Sequence, residues 1–322
     1  MTFNQNFAWG AATAAYQIEG AHDADGKSSS VWDHMVRWPE KIHLGENGDI
    51  ACDHYHRLEE DLNLMEEIGL NAYRFSFAWT RILPEGTGRP NEDGLAFYDR
   101  LIDGLLARNI QPWGTLFHWC YPMALYRKGG WLNDESSEWF CEYATVIAKR
   151  YGDRIQNWIT LNEPQMFIHL GHHIGCHAPG LQLPQTDIAR CIHHVLLAHG
   201  KASLAIREHA SAEPTIGWAP AVGISSVDPE YTSDPEVVSH AKEGHFQCNP
   251  DSGNLANGSS IWCDPVFLKK YPENFLLHYG NQLPADWEKD LETIATPIDF
   301  CGMNIYAAWG QHTRDENGDL AY

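Results

Sequence analysis

The sequence has few positive charges. Its 322 residues include 22 Lys and Arg against 43 Asp and Glu, a formal net charge of −21 at pH 7. A chain this acidic repels phosphate backbones, which argues against nucleic acid as a partner. No apolar run approaches the roughly 18 residues that a membrane span needs, so we expect no membrane association. Residues 1–7 have neither the basic nor the apolar segment of a secretory signal, and we expect a cytoplasmic protein.

The eight cysteines are scattered, and no two of them form a Cys-x-x-Cys pair. A long chain with such irregular spacing lacks the pattern of a disulfide framework. We therefore expect reduced thiols, as is usual in the cytoplasm.

Short β-type runs alternate with helical patterns along the chain. Strands are predicted at 7–15, 72–79, 111–119, 155–163, 215–222 and 298–307, and helices at 56–68, 94–108, 135–150, 187–209 and around 265–279. This alternation indicates a parallel sheet with helices outside it. Polar residues at the strand ends, and Trp9-Gly10-Ala11-Ala12 in place of a glycine-rich phosphate loop, favour a (β/α)8 TIM barrel over a doubly wound sheet. We expect residues 1–322 to form one domain with about six β/α units.

Asn162-Glu163-Pro164 is the most informative tripeptide, because it follows the apolar run 158–161. In a (β/α)8 barrel, the carboxyl ends of the strands open into the active site. A residue before proline is biased away from helix, so we expect Glu163 to be extended. A carboxyl beside an amide suits a general acid next to a group that binds a substrate hydroxyl. For the tripeptide alone, polar capping of a strand end is an equal alternative.

Other predicted strand ends also carry polar side chains: Gln17, Arg74, His118 with Trp119, and Asn304 with Tyr306. With them the chain closely resembles the family 1 glycoside hydrolases, the β-glucosidase-like enzymes. The matching segments include FAWGAATAAYQIEGA (7–21), RFSFAW (74–79), FHW (117–119), WITLNEP (158–164), HAPG (177–180) and DFCGMNIY (299–306). The resemblance covers nearly the whole chain and implies a retaining β-glycosidase, most simply a β-glucosidase that acts on short β-glucosides.

The resemblance implies a catalytic role for Glu163. As general acid/base it would protonate the departing glycosidic oxygen and then deprotonate the attacking water. Asn162 would bind the 2-hydroxyl of the sugar, and Gln17 and His118 would bind the outer hydroxyls. No cofactor is implied. The segment from His169 to His177 invites a metal interpretation, but it matches a family loop, and we expect no metal.

The remaining implied roles surround that acid. Trp119 would neighbour the sugar subsite, Tyr306 would hydrogen-bond the nucleophile, and Asn304 and Arg74 would line the pocket floor. Structural alternatives stay open: a core ion pair for Arg74, packing for Trp119, a supporting position for Asn304 and a buried structural histidine for His118.

The nucleophile implied by the resemblance is a Glu that ends a seventh strand, and the eighth strand adds further sugar contacts. Glu316-Asn317-Gly318 imitates that motif, but only nine residues separate Tyr306 from Glu316. That is too few for the crossover of a parallel strand pair, and Asn-Gly is typical of a turn. We therefore expect strands seven and eight to be absent, to be supplied by further residues or by a separate chain. This chain alone should be inactive.

Two residues depart from the family pattern. Cys120 follows the His-Trp pair where an Asp is usual, which removes a charge beside the sugar site. Gln165 follows Asn-Glu-Pro where Trp is frequent, which predicts a more polar aglycone side. A 6-phospho-β-glycosidase and a non-catalytic, sugar-binding pseudoenzyme remain alternatives. The oligomeric state is open, a homo-oligomer included.

Overall fold

The computed structural model describes residues 3–4, 7–222, 224–246, 255–306 and 308–321. Six strands form one sheet in chain order, and each neighbouring pair is parallel. They are β1 (Gly10–Ala12), β2 (Ala72–Ser76), β3 (Gln111–Phe117), β4 (Asn157–Asn162), β5 (Thr215–Ala219) and β7 (Phe300–Cys301). The sequential parallel order predicted from the sequence is thereby confirmed.

The strands are shorter than predicted. The second ends at Ser76, and the chain turns directly into a short helix at Trp79. The predicted strand at 298–307 is reduced to Phe300–Cys301, and residue 307 lies outside the described ranges. At each of these carboxyl ends the chain leaves the sheet early, which frees backbone and side chains for the site.

Four long helices lie close to the predicted positions: α3 (Leu58–Glu67), α5 (Glu92–Ala107), α7 (Ser136–Tyr151) and α9 (Gln185–His209). On α5 the fully buried face is formed by Phe97, Leu101 and Leu105, which recur at helical spacing. Burying one such side chain stabilises the fold by about 1.5–3 kcal/mol. Periodicity was sufficient to predict α3, α5 and α7 because each one buries a single apolar face, whereas nearly every residue of α9 from Ile188 to Ile206 is buried.

Shorter helices complete the outer layer and the site loops. They are α1 (Ala15–Ile18), α2 (Val31–Met35), α4 (Trp79–Ile82), α6 (Met123–Tyr126), α8 (Pro164–Ile168) with a π-helical turn at His169–Ile174, α10 (Pro235–Phe246), α11 (Ser259–Leu268), α12 (Glu273–Tyr279) and α13 (Trp287–Ile294). The region predicted around 265–279 is two helices, because Lys269 adopts a left-handed conformation between them. Helices α10 and α13 were not predicted. On α13 the apolar residues Trp287, Leu291 and Ile294 do recur at helical spacing, a stripe that the sequence prediction overlooked.

A second, small sheet contains β6 (Ile224–Val227), β8 (Ala308–Arg314) and β9 (Leu320–Ala321). Strand β8 was not among the predicted strands, and its residues 312–314 pair in this sheet. The prediction of a turn at Glu316 is confirmed. Asp315 accepts from the amide of Gly318 at 3.0 Å, and Glu316 is exposed in the connection from β8 to β9.

Several histidines and cysteines outside the site have structural positions. His54 is buried and pairs with Asp61 at 2.6 Å, and the buried His194 donates from Nδ1 to the carbonyl of Trp131. Every cysteine in the described ranges is a free thiol, and Cys248 lies outside those ranges. No helix in the described part of the chain is both long and apolar enough to cross a bilayer.

Candidate active site

Glu163 stands where β4 ends, and its backbone is left-handed, with φ 48° and ψ 62°. The prediction of an extended residue was wrong. The chain must turn from a strand into helix α8 within one residue, and Pro164 takes the first helical position, to which its fixed φ is suited. The amide of Glu163 donates to the carbonyl of Ala219 at 2.7 Å, which holds this turn against β5. A left-handed conformation costs about 1–2 kcal/mol for a residue with a side chain, and such strain is typical of functional sites.

The carboxyl of Glu163 is almost fully buried, with 5% of the residue exposed. Two donors meet on one of its oxygens: Asn304 Nδ2 lies 2.7 Å and the Tyr306 hydroxyl 3.1 Å from Oε1. Partial burial and the neighbouring charge of Glu163 raise the pKa of Tyr306, so the hydroxyl keeps its proton. Among the described residues Oε2 has no hydrogen-bond partner.

Arg74 connects the groups beneath the acid. Its Nη2 donates to Asn162 Oδ1 at 2.5 Å, its Nη1 to Asn304 Oδ1 at 3.3 Å, and its Nε to Thr115 Oγ1 at 3.0 Å. Burial lowers the pKa of this guanidinium, and the charge of Glu163 opposes that effect. A core ion pair, the alternative open for Arg74, is not what these contacts describe: its partners are amides and a hydroxyl.

Asn162 is fully buried, and its contacts fix the orientation of its amide. Oδ1 accepts from Arg74 and from Asn304 Nδ2, the latter at 2.9 Å, so Nδ2 must face His118 Nε2 at 3.0 Å. The Nε2 atom of His118 is therefore an acceptor, and the ring proton is on Nδ1. Desolvation and then the charge of Arg74 lower the pKa of His118 to about 3, so this ring is neutral across the physiological range.

Trp119 adopts a positive φ of 77° directly after His118. Its indole Nε1 donates to the backbone carbonyl of Asn162 at 2.9 Å, and its ring packs beside those of His118 and His177. Trp119 therefore does more than fill space, because it fixes the strand end that carries the acid.

An open cleft of about 290 Å³ lies over these groups. The residues that line it are Ala12, Thr13, Gln17, Arg74, His118, Asn304, Ile305 and Tyr306. Glu163 and Asn162 do not line the cleft themselves but are hydrogen-bonded to the lining residues Asn304, Tyr306 and Arg74. Gln17 is exposed on α1 at the edge of this cleft. The structure thus brings all eight residues singled out in the sequence to one place. Among the described residues that line the cleft, none is a carboxylate.

Both departures from the family pattern lie in buried surroundings. Cys120 lies in a small polar cavity with Lys27 and Asp33, which form an ion pair at 3.2 Å, and burial raises the pKa of its thiol to about 12. Gln165 was expected to make the aglycone side more polar, and that prediction was wrong. Its side chain is buried, with 1% exposed, and its amide pairs with the backbone of Ala221. Sequence reasoning missed this contact and also Thr115 and Thr13.

With this geometry established, comparison with known proteins identifies the family. The model of glycosyl hydrolase family 1 matches residues 1–320, and the chain belongs to that family. The resemblance and the TIM-barrel fold class predicted from the sequence are confirmed.

Characterised relatives extend beyond this chain. It is 41% identical to "Beta-glucosidase A" of Thermotoga maritima over 305 residues, which cover 95% of this chain and 65% of the relative. It is 43% identical to "Beta-glucosidase A" of Acetivibrio thermocellus over 313 residues, 96% of this chain and 66% of that protein. The structure of the Thermotoga maritima β-glucosidase in complex with deoxynojirimycin superposes with a TM-score of 0.85 at 39% identity, over 99% of this chain and 69% of the other. The chain therefore spans about two thirds of the length of these relatives.

Proposed function

We propose that this chain supplies the acid/base part of a retaining β-glucosidase that hydrolyses terminal β-D-glucosyl residues of short β-glucosides. The observation that carries the proposal is the environment of Glu163. The carboxyl is buried at a strand end, both of its hydrogen bonds are made through Oε1, and Oε2 has no partner among the described residues. Oε2 is therefore the oxygen that is free to carry the proton for the glycosidic oxygen.

The surrounding residues suit both charge states of that acid. Once Oε2 has given its proton away, the negative charge on Glu163 is stabilised by the donor Asn304 and by the positive charge of Arg74. Donors that are already oriented need no reorganisation when the charge forms. In the second half of the reaction the same carboxylate would take a proton from the water that attacks the glycosyl intermediate.

We infer that the nucleophile lies outside these 322 residues. A retaining mechanism needs two carboxyls about 5–5.5 Å apart. The described lining of the cleft includes no carboxylate, and Glu316 lies on the exposed β8–β9 connection. Roughly a third of the length of these relatives lies outside the matched part. We infer that this further part, continuous or as a separate chain, supplies the second carboxylate and that residues 1–322 alone do not turn over.

Hydrolysis of 4-nitrophenyl β-D-glucoside tests this inference. The purified 322-residue chain should show no turnover, whereas the native protein should have an intact mass above 36.4 kDa under denaturing conditions, or a co-purifying fragment, and should hydrolyse the substrate. In the native protein NMR should detect the β-anomer of glucose first. Full turnover by residues 1–322 alone would refute the inference.

The same assay separates the alternatives. A preference for 4-nitrophenyl 6-phospho-β-D-glucoside would identify a 6-phospho-β-glycosidase instead. Binding of deoxynojirimycin by a native protein of 36.4 kDa without any hydrolysis would favour the sugar-binding pseudoenzyme. The single-domain assignment and the cytoplasmic location stay predictions.

A further inference from the structure

Gln165 makes an unusual contact two residues after the acid. Its Nε2 donates to the carbonyl of Ala221 at 3.1 Å, and its Oε1 accepts from the amide of Ala221 at 3.3 Å. Both bonds join one side-chain amide to the two backbone groups of one residue, 56 positions away. The side chain thus pairs with Ala221 as a neighbouring strand would.

The reason lies in how β4 ends. Asn162 is paired with Ala219 in the sheet, and the amide of Glu163 donates to the carbonyl of Ala219. The left-handed turn at Glu163 then takes the backbone away, and Pro164 has no N–H to donate. Strand β4 therefore has no backbone left to pair with Ala221. The side-chain amide of Gln165 takes that place and supplies the partners for these part-buried backbone groups.

The other neighbour of Ala221 is Asn304. The two residues form a parallel bridge, the amide of Asn304 donates to the carbonyl of Pro220 at 3.1 Å, and the amide of Val222 donates to the carbonyl of Asn304 at 3.0 Å. The side chain of Asn304 in turn bonds Glu163 Oε1 and Asn162 Oδ1. Glu163, Gln165, Ala221 and Asn304 therefore form a closed ring of contacts, with the acid on one side and its strongest donor on the other.

We propose that Gln165 is a positioning residue for Glu163: by standing in for the end of β4, it holds the segment around Ala221, and through it Asn304, in register with the acid. The effect of this role on catalysis rests on the proposed function, whereas the hydrogen bonds between Gln165 and Ala221 are independent of it.

Two glucosides with different leaving groups test the role. Gln165→Met keeps the size of the side chain and removes both bonds. It should lower kcat/KM for cellobiose about 10- to 100-fold, since misplacing a reacting group by about 1 Å is enough for a loss of that size. For 2,4-dinitrophenyl β-D-glucoside, whose leaving group needs no protonation, kcat/KM should change less than about threefold. The matched control is Gln156→Met, an exposed glutamine just before β4, which should leave both values unchanged.

An equal loss on both substrates would overturn the proposal, because a merely structural defect does not distinguish leaving groups. Hydrogen exchange on the same native proteins gives an answer that does not depend on turnover. Gln165→Met should increase deuterium uptake in residues 219–222 and also in residues 300–306. An increase confined to 219–222 would mean that the contact does not reach Asn304, and would refute the positioning role even if wild-type protein proved inactive. Absence of wild-type hydrolysis would count separately against the proposed function.

Discussion

Three buried histidines should make the fold unusually sensitive to mild acid. Desolvation is the largest cause that lowers the pKa of each: His118 to about 3, His172 to about 4 and His199 to about 3. In the unfolded chain a histidine has a pKa of about 6.5. Because the native pKa values lie below the unfolded value, the stability that depends on neutral histidines is fully present above pH 6.5. It is lost as the pH falls from 6.5 toward the native pKa values.

The size of the effect follows from proton linkage. At pH 5 each of these histidines is almost fully protonated when unfolded and neutral when native, which lowers the free energy of unfolding by about 2 kcal/mol. The three together give about 6 kcal/mol between pH 7.5 and pH 5, against a total stability of about 5–15 kcal/mol for a typical domain. The pKa values of His177 and His194 are lowered as well, which acts in the same direction. The lowered pKa of Asp99 acts in the same direction, but only near and below its ordinary value of 3.8.

Urea unfolding followed by tryptophan fluorescence at pH 7.5, 6.5, 5.5 and 5.0 measures the effect. His199→Asn keeps an oxygen near Nδ1, which lies 2.6 Å from Thr160 Oγ1, and removes one titrating ring. It should reduce the loss between pH 7.5 and pH 5 by about 2 kcal/mol, or one third. His43→Asn, at an exposed ring, is the control and should retain the full loss. A free energy of unfolding that stays constant from pH 7.5 to pH 5 would refute the reasoning.

Three further predictions concern other buried groups. Arg81→Met should lower the free energy of unfolding by about 3–5 kcal/mol, because it leaves Glu19, now 3.1 Å from the Arg81 Nε atom, as a buried charge; adding Glu19→Gln should recover most of the loss in urea titrations. Arg74→Lys keeps the charge but cannot reach three partners at once, so turnover of the native protein should fall at least about tenfold and stability by about 1–3 kcal/mol, whereas an unchanged kcat/KM would contradict the role described for it. Maleimide labelling read by peptide mass spectrometry should modify the exposed Cys52 and Cys176 within minutes and Cys120 only after unfolding.

Sequence reasoning succeeded where a single local pattern decides the outcome. Helices α3, α5 and α7 were predicted because each shows one apolar stripe, and the strand ends because apolar runs stop at polar residues. Glu163 could be placed at the end of a strand for that reason. Helix α13 was missed although Trp287, Leu291 and Ile294 recur at helical spacing, and it packs so closely on α9 that a Cβ on Gly200 would lie 2.1 Å from the carbonyl oxygen of Thr293. The sequence of α9 or of α13 alone does not predict that contact.

The sequence predicted which residues form the site better than it predicted the hydrogen bonds between them. Which residues converge could be read from strand ends and from the family resemblance. The bonds between them depend on atoms far apart in sequence, such as Arg74 Nη1 and Asn304 Oδ1, 230 positions apart. The left-handed turn of Glu163 and the buried amide of Gln165 have the same origin. Each follows from a backbone group on a neighbouring strand that needs a partner, and a single sequence does not reveal which groups those are.

The hydroxyl of Tyr306 has two possible hydrogen-bond partners, the acid Glu163 and the nucleophile that the family resemblance implies. The resemblance assigns its hydroxyl to the nucleophile, yet here that hydroxyl donates to Glu163 Oε1, and the residue is 79% exposed. A phenol has one proton and donates to one carboxylate at a time, so the two contacts exclude each other. We expect the nucleophile to take the bond in the native protein, since Asn304 still satisfies the acid at 2.7 Å. Tyr306→Phe should then lower kcat/KM equally for cellobiose and 2,4-dinitrophenyl β-D-glucoside, because attack is needed for both. A loss confined to cellobiose would show instead that the hydroxyl stays with Glu163.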